Sequence, residues 1–440
     1  MGKKLKILIA LLLTAMLLTG CAMVTVDQMY SPPRRSDAYE DLQRAIDSAM
    51  TGMEYASPQS GENRQTVQLA DLDGDGNDEY LVYARDTSEN PMKILVFRRD
   101  GDGCRLMETI VGLGSGFDLV EYADLDGKPG FELVVGRQVS DTVLRSVSVY
   151  SFSGGDAAQL MNVNYAKLVT VDMDSDGLLE LMIIAPGESD EENAVAALYD
   201  CSGDTVTRSR QISLSEGSSN IKRIMVGKLR NGIPAVYVAS SVEDSAIITD
   251  VFALKNGEFT NVSFSNESGT SVQTLRNYYV YADDIDDDGV LELPDLIDMQ
   301  PVENTWMASN QKLIRWYSMD ISGGETDRMY TFHNFDGGWY LQLDKFLTPR
   351  ISVVRQDNRF IFYLWDENFE STQILMTIHA LSGHDREAAA ADQGYYVLYR
   401  SEGVIYAVET ESIARELGLI PELLAESFHP IQMDWKNGEM

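Results

Sequence analysis

The chain has 440 residues, with 69 acidic against 35 basic side chains, a formal net charge of −34 and 44% hydrophobic content. That much acid argues against nucleic acid as a partner and against adhesion to anionic lipid through the protein surface. The length and apolar content allow one large repeat domain and a small one, each with its own core.

Lys3, Lys4 and Lys6 precede an apolar run from Ile7 to Leu18 that closes on Thr19-Gly20-Cys21. The run is short for a membrane span and ends in small residues, the pattern of a secretory signal. It resembles a bacterial lipoprotein signal. The resemblance implies removal of residues 1–20, lipidation of Cys21, and an exported protein held to the cell membrane by its acyl anchor, facing outside the cytoplasm. Residues 21–54 then read as a tether with Pro32-Pro33 inside it, followed by one amphipathic helix. Asp37 and Glu40 form its capping box, and Tyr39, Leu42, Ile46 and Ala49 share the face that packs on the rest of the protein.

Three stretches share one acidic pattern: Asp71-Leu-Asp73-Gly-Asp75-Gly-Asn77-Asp-Glu79, Asp172-Met-Asp174-Ser-Asp176-Gly-Leu178-Leu-Glu180 and Asp284-Ile-Asp286-Asp-Asp288-Gly-Val290-Leu-Glu292. Carboxylates at positions one, three and five face one small turn, and a glycine at six permits the bend. The residue at seven (Asn77, Leu178, Val290) offers its carbonyl, and a glutamate at nine closes the shell. Hard oxygen donors in that number suit Ca²⁺, while Mg²⁺ prefers a smaller octahedral shell and Zn²⁺ wants His or Cys. About three Ca²⁺ sites are expected. An EF-hand would have a bidentate Glu at position twelve, where Val82 and Ile183 stand instead, and short β-branched runs such as Thr66–Ala70 and Tyr80–Ala84 flank the first loop as strands. In the last loop Asp295 falls at position twelve and Pro294 interrupts the following strand, which leaves an EF-like or dockerin-like loop open there.

Two degenerate copies fill the gaps. Asp124-Leu-Asp126-Gly-Lys128-Pro-Gly-Phe-Glu132 carries a cation at position five, so Asp124, Asp126 and Glu132 are doubtful ligands, and Lys228-Leu-Arg230-Asn-Gly-Ile-Pro keeps only the hydrophobic frame. Loops therefore begin at 71, 124, 172, 228 and 284, a period of about fifty residues that suits four-stranded propeller blades. Between them Met92–Phe97, Cys104–Ile110, Val147–Tyr150 and Ala196–Tyr199 read as strands joined by tight turns at Asp100-Gly-Asp102-Gly103, Ser153–Asp156 and Cys201–Asp204. Cys104 and Cys201 sit in different repeats and read as free thiols.

Strand, D-x-D-x-D-G-x-x-E, strand at this spacing resembles the FG-GAP and VCBS-type repeats of integrin-like β-propellers over roughly residues 55–345. The resemblance implies a mainly β fold: a propeller of about five four-stranded blades with calcium loops. Residues 346–440 lack the acidic loop and read as a small C-terminal α+β domain, with a divergent final blade as the alternative; strands are expected near 350–354, 360–364, 374–378, 395–399 and 404–408 and short helices at Glu411–Leu417 and Pro421–Phe428.

All four histidines (His333, His379, His384, His429) and all five tryptophans (Trp306, Trp316, Trp339, Trp365, Trp435) lie in the last third of the chain, and no nucleotide-binding, zinc-protease or serine-hydrolase motif is present. No catalytic residue is assigned. The expected function is an extracellular binding or scaffolding module for a protein or carbohydrate partner. The alternative is a calcium-dependent enzyme acting on polysaccharide or phosphodiester. Trp306, Trp316, Tyr317, Trp339 and Tyr340 are expected to fill a core, with ligand stacking as the competing use.

Overall fold

The computed structural model describes residues 37–101, 103–139, 145–187, 192–243, 245–278, 280–302 and 312–431. The signal and Cys21, the side chain of Asp37 in the capping box, Asp102, Trp306 and Trp435 lie outside the described residues. The fold is mainly β, with six antiparallel sheets. By chain contacts it divides into two units, one of residues 1–57, 65–70 and 77–113, the other of 58–64, 71–76 and 114–440.

In the first unit, helix α1 (Asp37–Ala49) is followed by β1 (Glu54–Tyr55), β2 (Val67–Ala70), β3 (Glu79–Arg85), β4 (Met92–Asp100) and β5 (Gly103–Gly112). Strand β3 pairs with β1, β2 and β4, and β4 with β5. The apolar face of α1 buries Ile46, with Leu42 and Ala49 beside it, against Val82, Leu95 and Phe97. The 3.6-residue spacing of those positions is what lets one helix face meet the sheet.

The second unit holds five sheets. The first is β6 (Gly116–Ala123), β7 (Glu132–Gln138), β8 (Arg145–Ser151) and β9 (Ala158–Tyr165). Next comes β10 (Lys167–Val171), β11 (Glu180–Ala185), β12 (Val195–Ser202), β13 (Thr205–Arg208) and the short β14 (Ile212–Ser213). The third is β15 (Ile221–Lys228), β16 (Pro234–Val242), β17 (Ala246–Lys255) and β18 (Glu258–Asn261); the fourth is β19 (Glu292–Asp298), β20 (Lys312–Met319), β21 (Glu325–Asn334) and β22 (Trp339–Leu343). The last contains β23 (Ile351–Gln356), β24 (Arg359–Trp365), β25 (Thr372–Ser382), β26 (Tyr396–Arg400) and β27 (Val404–Thr410), with helix α2 (Arg386–Asp392) between β25 and β26. Helices α3 (Ser412–Glu416) and α4 (Pro421–Glu426) lead to β28 (Phe428–Pro430), which returns to pair with β22.

Each of these five sheets packs on the next. Leu119, Val134 and Val149 meet Leu181, Ile183 and Tyr199; Met182, Ile184 and Leu198 meet Val236, Val238 and Phe252; Tyr237, Val251 and Ala253 meet Leu293 and Tyr317. Strands covered on both faces must be apolar throughout rather than alternating, and β11 (Glu-Leu-Met-Ile-Ile-Ala) and β16 have that character.

The stretch 346–440 supplies the sixth sheet, and its core continues into the preceding one: Phe332, Trp339 and Leu341 cluster with Phe360, Phe362, Ile378 and Phe428. Trp316, Tyr317 and Trp339 are fully buried and Trp365 nearly so, so these rings fill cores. His333 is buried with its ring stacked on Tyr340 at 5.0 Å, and burial holds its pKa down at about 3, a neutral structural histidine. Cys104 and Cys201 are free thiols, and burial pushes the Cys201 thiol up to about 12. Among the described residues no helix is long and apolar enough to cross a membrane.

Candidate metal centre

Each loop of the repeat lies in the chain just before a strand of a successive sheet. Loop 71–79 falls between β2 and β3, 124–132 between β6 and β7, 172–180 between β10 and β11, and 228–234 between β15 and β16. Loop 284–292 precedes β19, and its first arm is reduced to a single bridge between Asp283 and Glu292. A strand follows each loop, and no EF-type helix follows the last. Pro294 is tolerated because β19 is an edge strand. Asp295, at position twelve, pairs with Arg315 at 3.3 Å.

One backbone template serves intact and degenerate copies alike. Position four is left-handed in all five: Gly74 (φ +74°), Gly127 (+70°), Ser175 (+65°), Asn231 (+77°) and Asp287 (+57°). Position six is left-handed in the three intact loops, at Gly76 (+85°), Gly177 (+95°) and Gly289 (+82°), where only glycine avoids strain. The loops are also tied in series. The amide of position eight donates to the carbonyl of position one in a preceding loop: Phe131 to Asp71 (3.0 Å), Leu179 to Asp124 (3.0 Å) and Leu291 to Lys228 (3.1 Å). Gly130 allows this approach, since a Cβ there would stand 2.5 Å from the Leu72 carbonyl oxygen.

Position nine performs the same task wherever a glutamate stands there in the second unit. Glu132, Glu180 and Glu292 are buried at the first residue of a strand and accept the position-two amide, from Leu125 (3.0 Å), Met173 (2.7 Å) and Ile285 (3.3 Å). Burial first, and neighbouring carboxylates second, push Glu180 up to about 7 and Glu292 up to about 8. Groups so placed gain from a nearby cation.

The loops differ in where that cation comes from. In loop 172–180, Asp172, Asp174, Asp176 and Glu180 bring four carboxylates within 4.8 Å of one another. Asp172 Oδ2 accepts the Gly177 amide at 3.2 Å, whereas its Oδ1 is buried without a hydrogen-bond partner. No basic side chain pairs with this cluster among the described residues. Unit charges 4 Å apart near a protein surface repel by about 4 kcal/mol. An all-oxygen set in that state is matched to a hard dication. Leu178 sits at position seven, its amide donating to Asp176 (2.8 Å).

In loop 284–292, Asp284, Asp286 and Glu292 converge in the same way. Here Arg328 enters, hydrogen-bonded to Asp286 (2.9 Å) and Asp288, and Val290 donates its amide to Asp288 (2.9 Å). Loop 71–79 is shared between the units in the chain. Asp71, Asp73 and Asp75 belong to the second, where Asp71 accepts the amides of Gly74 (2.8 Å) and Gly76 (3.0 Å). Asn77 and Glu79 belong to the first, where Glu79 is buried and pairs with Arg98 at 3.1 Å.

The degenerate loops use side-chain cations. Lys128 reaches Asp126 (3.2 Å) and, in the hairpin turn of the next sheet, Asp204 (2.9 Å). Arg230 likewise reaches Asp320 (2.7 Å) and Thr326 (2.7 Å) in the next sheet. Lys128 and Arg230 carry a visible sequence signal, a basic residue at a ligand position. Arg328 has none, because it lies far along the chain from the loop it enters.

No family model matches this chain, and no curated protein does. Among solved structures it is similar to the rhamnogalacturonan lyase YesW (10% identity, 73% of this chain and 72% of that one, TM-score 0.30) and to a rhamnogalacturonan lyase of Bacillus licheniformis (12%, 73% and 72%, TM-score 0.28). It is also similar to TolB of Acinetobacter baumannii (11%, 76% and 68%, TM-score 0.24). Similarity at this level transfers no activity.

Proposed function

We propose that this chain is an exported, lipid-anchored calcium-binding β-propeller, with the sheets as its blades, Cys21 as its lipidated residue and its surface offered to an extracellular protein or carbohydrate. The observation that carries the calcium reading is the four-carboxylate cluster of Asp172, Asp174, Asp176 and Glu180, with a buried, unpartnered oxygen on Asp172. The donor set fits Ca²⁺, which when bound would neutralise the loop and hold it to the strands on either side. Within the second unit the loops precede strands of successive sheets that pack in chain order, which supports the propeller and a structural use of the metal. The binding-module reading rests on the sequence, where export and the absence of a catalytic motif go together.

Thermal melting of the soluble chain lacking residues 1–21 tests it. With a dissociation constant of ~0.1 mM, ~1 mM calcium stabilises by about 1.4 kcal/mol per site. Asp172→Asn combined with Asp174→Asn is expected to abolish the share of that gain that comes from loop 172–180. It should also raise the melting temperature in chelator, because two repelling charges are gone. A calcium response unchanged by the double substitution contradicts the assignment.

A further inference from the structure

Strand β21 carries one residue more than its partner. Trp316 pairs with Met329 and Tyr317 with Asp327, so Arg328 is the extra residue of a β-bulge. Bulges re-aim side chains that regular pairing would point elsewhere. The Arg328 Nη2 donates to Asp286 Oδ2 (2.9 Å) and to Asp288 Oδ2, and its Nε lies 3.7 Å from Glu292 Oε1. Those are positions three, five and nine of the loop, three of the groups a dication would use. Glu292 is fully buried and its Oε1 has no hydrogen-bond partner, so the guanidinium is the cation that faces it. Asp284, at position one, has both oxygens engaged by backbone amides, from Asp288 (2.9 Å) and Gly289 (2.8 Å). Asp172, its counterpart in loop 172–180, keeps one oxygen unpartnered.

We infer that Arg328 is the resident cation of loop 284–292: its guanidinium takes the place of the metal, the loop folds without calcium, and calcium enters only by displacing it. The inference rests on reading the intact loops as calcium sites, and it makes loops of one acidic pattern unequal. A planar fork of donors suits two carboxylates side by side, and being covalently attached it is present at any calcium concentration. Lys128 does the same within loop 124–132 at shorter range along the chain. Loop 172–180 is then the metal-dependent one of the three acidic loops that lie wholly in the second unit.

Equilibrium dialysis against calcium, with the soluble chain and three forms of it, tests this. At ~1 mM calcium, Arg328→Gln is expected to bind one more ion per chain than the natural sequence, and to melt lower in chelator with recovery on adding calcium. Asp286→Asn in the natural background should leave the ion count unchanged. An equal count in Arg328→Gln, or an ion lost in Asp286→Asn, overturns the inference, and the second comparison stands if Arg328→Gln does not fold. Asp174→Asn, run alongside, should lose one ion. Failure of that control overturns the calcium assignment of loop 172–180 and leaves the Arg328 comparison readable as a difference.

Discussion

Replacing Asp250 with alanine is expected to destabilise the protein by about 4 kcal/mol, roughly three orders of magnitude in the folding equilibrium. Asp250 lies in β17, fully buried. Its carboxylate accepts four hydrogen bonds: the Ser215 amide (2.8 Å) and hydroxyl (2.7 Å), the Asn261 side-chain amide (2.8 Å) and the Ser271 hydroxyl (2.6 Å). Ser263 adds to the network through Asn261 (2.9 Å) and Ser271 (2.9 Å). Three stretches of chain, at Ser215, Asn261 and Ser271, are gathered on one side chain. Removing it strands several buried donors at once, each costing about 1–3 kcal/mol when left unsatisfied. Asp250→Asn keeps the shape and one acceptor and should lose less than half as much. Urea denaturation measures both, and a loss below ~1 kcal/mol for alanine would refute the network's role.

Trp339→Ala is the second large effect, expected at about 3–5 kcal/mol. The indole is fully buried and stacks on Phe428 at 4.8 Å, meets Phe360 edge-on at 5.1 Å, and lies 5.7 Å from both Phe332 and Tyr406. Those rings come from β22, β28, β24, β21 and β27, so one cavity would open between two sheets and beside the returning strand β28. The indole N–H has no hydrogen-bond partner, so Trp339→Phe loses only volume and should cost less than ~1.5 kcal/mol. A phenylalanine variant as damaged as the alanine one would show that the N–H, and not the packing, matters there.

The repeat was the most legible part of the sequence. Periodic acidic turns between apolar runs mark the loops and the strands around them to within a few residues, and Pro421 marks the start of the last helix, because turn chemistry, strand composition and proline at a helix start are local signals. Helix α2 has a local signal in Ala388–Ala391, a run of strong helix formers, but it is short and stands between strand patterns on both sides. The sheet of β23–β27 and the return of β28 were not legible as one core with the preceding sheet, because long-range pairing leaves no spacing in the chain.

At the candidate site the ligand types and the glycines could be read in advance, while the source of positive charge could not. Arg328 follows the loop it enters by two strands and the start of a third, and its direction depends on a register shift between β20 and β21 that no residue pattern announces. Asp250 was hidden for a similar reason: one acid inside an apolar strand gives no hint that Ser215, Asn261 and Ser271 converge on it.

The central claim is that loop 172–180 holds calcium, and locating the ion tests it most directly. Anomalous scattering from crystals of the soluble chain grown in ~10 mM calcium, well above the ~1 mM that saturates weak extracellular sites, should place a peak among the carboxylates of Asp172, Asp174, Asp176 and Glu180. A map with no peak between those four side chains would contradict it.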